Sequence, residues 1–155
     1  MSNSLRGMIA GLVATLVLTV VMVVKGRYDL WSEISLIQLL MNLGSISRVQ
    51  AWMDHFIIGV VVWGLIYGAL DATWDKAPHW LKGIALGVGA WLFMMVAFMP
   101  LAKVGMFGAK LGLAGALVPL VYHLIFGLVL GVVYGLLTAY LPAKVPERPT
   151  STPQA

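Results

Sequence analysis

The chain alternates long apolar runs with short polar breaks. Four runs, Gly7–Val24, Trp52–Leu70, Gly83–Ala102 and Leu117–Leu141, are long enough to cross a bilayer, which takes roughly 17–25 residues of helix. The first run follows Arg6 as a signal-peptide core would. No small-x-small cleavage site follows it, and it stops at "KGR", so it is read as a span. Trp31, Trp52, Trp74 and Trp80 fall near the predicted interfaces, where amphipathic rings prefer to lie. Trp63 and Trp91 fall deeper.

Between the first two runs, "RYDLWSEISLIQLLMNLG" is more than a loop. Leu30, Ile34, Ile37 and Met41 form one apolar stripe at helical spacing. Asp29 is placed to cap its start and Gly44 to end it. At about 15 residues such a helix is too short to span. It is expected to lie in the interface as a connector, a lid being the alternative. The connector between runs three and four, "KVGMFGAKLGLAGA", is shorter and glycine-rich. The reading is one membrane domain over 1–141, with residues 142–155 a disordered proline-rich tail.

Composition sharpens this picture. Of 155 residues, 61% are hydrophobic and only 10% charged, against about 25% charged in a soluble domain. The mean hydropathy is +0.94. Most of the outside must therefore face lipid, and the lipid bilayer is the first expected partner. The net charge of +4 is not a nucleic-acid signature, because the basic residues are scattered and not interleaved with aromatics. With no cysteine, disulfides, thiolate metal sites and cysteine nucleophiles fall away. Lys and Arg give no orientation. Arg6, Lys76, Lys82, Lys144 and Arg148 lie on the side of the termini, and Lys25, Arg27, Arg48, Lys103 and Lys110 on the other. An even number of spans favours both termini in the cytoplasm.

An internal echo adds architecture. "HFIIGVVVWGLIYGAL" from His55 and "HLIFGLVLGVVYGLL" from His123 align over 15 positions with eight identities once Trp63 is skipped. The pairs include His55/His123, Gly59/Gly127, Gly64/Gly131, Tyr67/Tyr134 and Gly68/Gly135. Upstream, "RGMIAGLVATL" and "KGIALGVGAWL" share a basic residue and two glycines. The fold class expected is an all-α membrane protein of four helices, built as two parallel hairpin repeats, 7–70 and 83–141. Stripes such as Gly127, Gly131 and Gly135 let helices approach closely in lipid. The extra Trp63 would turn the rest of its helix by about 100° unless a π-bulge near Val62–Gly64 absorbs it.

Ionisable groups inside a membrane are candidate sites. His55 and His123 are expected at matched depth, away from the termini. As a pair they suit the axial ligands of a b-type haem or two ligands of a metal ion; the plainer reading is helix-locking hydrogen bonds. Asp54 sits at a helix start, where the dipole favours a carboxylate. Asp71, Asp75 and His79 are read as a solvated turn broken by Pro78. Met95 and Met99 are spaced for copper but are also ordinary packing residues. No Ser/His/Asp set, phosphate loop or paired intramembrane carboxylate is present, so the chain is not expected to be an enzyme.

The residues His55–Gly59, "WLKG" at Trp80–Gly83, "MP" at Met99–Pro100, "GMFG" at Gly105–Gly108 and "HLIFGLVLGVVYG" at His123–Gly135 carry a resemblance. Together they resemble a family of uncharacterised small bacterial inner-membrane proteins, a domain of unknown function. The resemblance implies a four-span membrane protein and brings no activity with it. Three function classes stay open: a non-enzymatic structural or accessory subunit, which is preferred; a haem- or metal-binding redox protein using His55 and His123; and a small transporter or channel. A homo-oligomer or a membrane-complex partner is compatible with each.

Overall fold

The computed structural model describes residues 1–31, 34–74 and 76–141; the proline-rich tail and Asp75 lie outside them. The fold is all-helical, with four helices long and apolar enough to cross a membrane: α1 (Asn3–Arg27), α3 (Arg48–Thr73), α4 (His79–Leu101) and α5 (Ala114–Tyr140). A short helix α2 (Leu36–Gly44) lies between α1 and α3, and a 3₁₀ segment, Met106–Leu111, joins α4 to α5. Between 22% and 39% of each span's most apolar stretch is buried. The rest is left for lipid, which agrees with a chain too poor in charge to coat itself for water.

Local chemistry sets the helix starts. The hydroxyls of Ser2, Ser35 and Ser47 accept from the backbone N–H of Leu5, Gln38 and Gln50, satisfying amides that the first turn leaves unpaired. Pro78 precedes α4, where a missing N–H does no harm. The interfacial helix is shorter than its apolar stripe suggested. Its cap is Ser35 and not Asp29, which sits at φ 51° in a turn before it. Leu30 lies in that turn, so the stripe spans a turn and a nine-residue helix. Gly44 is the last helical residue, and Ser45 takes the left-handed position after it. The α4–α5 connector passes through positive φ at Lys103, Gly105, Phe107, Gly108 and Gly112, which accounts for its glycines.

The spans pack in the order α3, α1, α5, α4, with the most extensive contacts inside the two hairpins, α1 with α3 and α4 with α5. Backbone meets backbone where glycines face each other. A Cβ on Gly7 would fall on the Gly64 carbonyl, and one on Gly11 would lie 2.7 Å from the Gly59 oxygen. In the other hairpin, Gly83 faces Gly127 and Gly131, and Gly87 faces the His123 carbonyl. The core fills in around these contacts with Ala10, Ala14, Leu18, Tyr67, Phe126, Leu130 and Tyr134. A second cluster, Met94, Met95 and Met99, packs against Leu36 and Leu39 of α2. Met95 and Met99 are therefore packing residues, and α2 of the first hairpin rests on α4 of the second.

Two spans contain π-helical turns. One covers Ile57–Trp63 and has the register effect expected of the extra Trp63. The π turns return Gly64 and Tyr67 to the bundle interior, and the Tyr67 and Tyr134 rings meet at 4.9 Å between centroids. The other, Met94–Phe98, was not anticipated. Pro100, two residues on, has no N–H to give the preceding turn, and the ladder widens there.

The glycine contacts predict a contrast within α4. Gly83→Ala places a methyl on the Gly127 carbonyl, whereas Gly89→Ala points into open space. Overpacking costs about 1–3 kcal/mol, while helix propensity gains about 1 kcal/mol in both. Thermal unfolding in mild detergent should show Gly83→Ala less stable than wild type and Gly89→Ala equal or better.

Candidate functional site

Two polar features survive inside the apolar bundle, at opposite ends. On the side of the termini, charged groups are buried together. Lys82 is 3% exposed and reaches the Asp71 carboxylate at 2.7 Å. His79 Nδ1 lies 2.8 Å from the same oxygen. Arg6, 4% exposed, donates to the Leu141 carbonyl at 2.6 Å and to Asn3 Oδ1 at 3.2 Å. The Tyr67 hydroxyl donates to the His79 carbonyl at 2.7 Å. The Tyr134 ring meets Tyr67 edge to face and lies tilted against His79, and its own hydroxyl is buried beside Asp71 and Arg6.

The geometry has a reciprocal logic. Arg6, from α1, reaches the C-terminal end of α5; Lys82, from α4, reaches the C-terminal end of α3. Each cation sits where a helix dipole is negative and its last carbonyls lack partners. Each hairpin thereby holds the other. The solvated turn expected around Asp71 and His79 is instead a largely buried ion pair with a histidine beside it. Arg6 and Lys82, counted above as orientation charges, are interior groups.

At the other end, the spans separate. Arg48–Phe56 has little contact with α1 and Met94–Phe98 little with α5, and a cavity of about 430 Å³ lies between the helices. Its walls are apolar, with Leu18, Ile58, Met94 and Phe126 among them, and α2 supplies Leu36 and Leu39. His55 and His123 both line it.

The two histidines are held differently. His55 is buried, and its Nε2 lies 3.3 Å from Thr19 Oγ1 on α1. Trp52 and Phe56 meet its ring edge to face. The Thr19 hydroxyl donates to the Thr15 carbonyl at 2.8 Å, so its one hydrogen is used. In that pair the histidine must donate, which leaves Nδ1 with the lone pair. His123 Nδ1 donates to the Pro119 carbonyl of its own helix at 2.8 Å, which leaves the lone pair on Nε2. The helix-locking bond expected of both is thus made by His55, while His123 is tied within α5.

The remaining residues singled out above serve packing. Gly59 faces the Thr15 side chain, Gly64 faces Gly7, and Gly68 faces the Asn3 carbonyl. Gly127 faces Gly83, Gly131 faces His79 and Trp80, and Gly135 faces the His79 ring. Tyr67 and Tyr134 are fully buried. Among the described residues, no three His, Cys, Asp or Glu side chains are grouped to hold a metal ion.

A family model described as a family of unknown function (DUF6789) matches residues 1–144. The chain belongs to that family. No curated protein and no solved structure matches it. Membership accounts for the whole membrane domain as a unit and assigns it no activity, so the chemistry must be argued from the residues.

The sequence placed Arg6 and Lys82 among the orientation charges and Asp71 in a solvated turn, and gave no sign that they lie largely buried. A basic residue followed by glycine opens both α1 and α4, which marks equivalent positions. Thr19 carried no signal, since its importance comes from His55, distant in sequence.

Buried ion pairs break badly when one member goes. Asp71→Asn should lower stability by about 3–5 kcal/mol, because Lys82 stays buried without its counter-charge. Asp71→Leu combined with Lys82→Met should recover most of that loss in a detergent melting experiment.

Proposed function

We propose that this chain is a non-enzymatic multi-pass protein of the bacterial inner membrane that holds a lipophilic small molecule between its spans, as an accessory component of that membrane. One observation carries the reading: the cavity of about 430 Å³ whose apolar wall includes both histidines. Ligand sites are clefts of roughly 300–1,000 Å³, mostly apolar with a few placed polar groups. The polar side chains lining this one are His55, His123, Tyr122, Trp63, Thr15 and, along α2 and its cap, Ser35, Gln38 and Asn42. No carboxylate or cysteine is among them, which suits holding a molecule more than transforming it.

The domain is read as a duplicated hairpin. The matched contacts Gly7–Gly64 and Gly83–Gly127/Gly131 support this, as do the reciprocal reaches of Arg6 and Lys82. Both termini are assigned to the cytoplasm. A cysteine placed at position 2 should then react with a membrane-impermeant thiol reagent only after the cells are opened.

A second reading has its own observation. A ligating histidine usually donates its other nitrogen to a backbone carbonyl, and His123 does so to Pro119. A b-type haem between His123 and His55 is therefore the alternative. Protein made with haem in supply separates the two: a Soret band lost in His55→Ala and His123→Ala supports haem, and a colourless preparation ends it.

For the lipophilic reading, native mass spectrometry of wild type with para-octylphenol should show one bound molecule per chain. Ile58 lines the cavity, and Ile58→Trp should remove that binding while the protein stays folded.

A further inference from the structure

We infer that the cavity opens sideways into the bilayer and that its occupant is one acyl chain of a membrane lipid, an inference that rests on the lipophilic reading above. The way the spans close on one another leads to it. α3, α1, α5 and α4 follow each other around the bundle, so the ring closes where α4 returns to α3. On the side of the termini that closure is tight. Gly64–Thr73 packs on the first part of α4, the Tyr67 hydroxyl donates to the His79 carbonyl, and Lys82 reaches Asp71. At the opposite end α2 supplies the bridge. It contacts the start of α3, and its Leu36 and Leu39 pack against Met94, Met95 and Met99 of α4.

Between these two closures α3 and α4 hardly meet. Val62 of α3 and Phe93 of α4 both line the cavity, yet they are 43% and 56% exposed. The cavity therefore reaches the surface between them, through a window below α2. Both residues lie well inside their spans, where the surroundings are hydrocarbon and not water.

A space of this kind has one natural filling. Its lining is mostly apolar, so water would find few partners there. Left empty, it would forfeit the dispersion contacts of every side chain around it. The hydrocarbon beside the window supplies those contacts without leaving the membrane. The exposed polar lining, Ser35, Gln38 and Asn42, belongs to α2 and its cap. It lies at the end of the spans, where a lipid keeps its esters and headgroup.

The test places the full chain in phosphatidylcholine vesicles doped with the same lipid carrying a diazirine near the end of one acyl chain. Photo-adducts are then mapped by mass spectrometry. Leu18, Met94 and Phe126 line the cavity and are buried, whereas Val20 and Val132 are exposed on the outside of the bundle. Adducts are expected on both sets. Ile58→Trp, which fills the cavity, should remove the inner adducts and keep the outer ones, while the volume-conserving Ile58→Leu should keep both. Para-octylphenol, which needs no substitution, should compete with the inner adducts alone. Adducts confined to the outer set, in protein that still binds one para-octylphenol, would overturn the acyl-chain inference and leave the lipophilic site standing. The same confinement without para-octylphenol binding would overturn both. Inner adducts that persist in folded Ile58→Trp and in the presence of para-octylphenol would come from chains outside the cavity and overturn the inference as well.

Discussion

Everything in this fold depends on backbones touching at glycine. In lipid there is no hydrophobic gain from bringing two helices together, so close packing must supply the attraction. Gly7 against Gly64 and Gly83 against Gly127 let each pair of helices approach until a carbonyl of one fills the place of a side chain on the other. That approach carries the first turns of α1 and α4 onto the last turns of their partners. Charged groups there become buried. The same approach sets the tyrosines ring to ring at the centre of the bundle.

Tight closure at one end has a consequence at the other. Helices pinned on the side of the termini, with larger residues beyond the pin, diverge toward the opposite face. The cavity occupies that divergence, roofed by α2 and the α4–α5 connector. Its polarity is set by what the π turns allow. By absorbing the extra Trp63, the first π segment keeps Gly59, Gly64 and Tyr67 on the packed face, while His55 on the turn before it lines the cavity. The second, ahead of Pro100, lies where Met94, Met95 and Met99 turn inward to receive α2. Stability is concentrated at the closed end and space at the open one, so the cavity exists without weakening the pin.

Much of this was legible in the residues. The spans, the glycine stripes and the helical widening at Trp63 follow from apolar length, small-residue spacing and the one-residue mismatch between the two histidine-to-tyrosine intervals, while which stripes face each other does not. The start of α2 was misplaced because its apolar stripe continues through a turn, and periodicity alone cannot distinguish a helix from a helix preceded by a bend. Burial of Arg6, Asp71 and Lys82 was hidden for a different reason. Their partners lie on other helices, and a charge near a helix end looks the same in sequence whether it faces water or a neighbouring dipole. The histidines were visible as residues, whereas their free lone pairs depend on Thr19, Thr15 and Pro119 being in reach.

The central claim is that α3 and α5 meet at the tyrosines and part at the histidines. The chain has no cysteine, so engineered pairs can be tested in native membranes with dibromobimane, a short thiol cross-linker. Tyr67→Cys with Tyr134→Cys should cross-link efficiently, and His55→Cys with His123→Cys should not. Efficient cross-linking at the histidine level, with none at the tyrosine level, would contradict the closed and open ends from which the rest of this account is built.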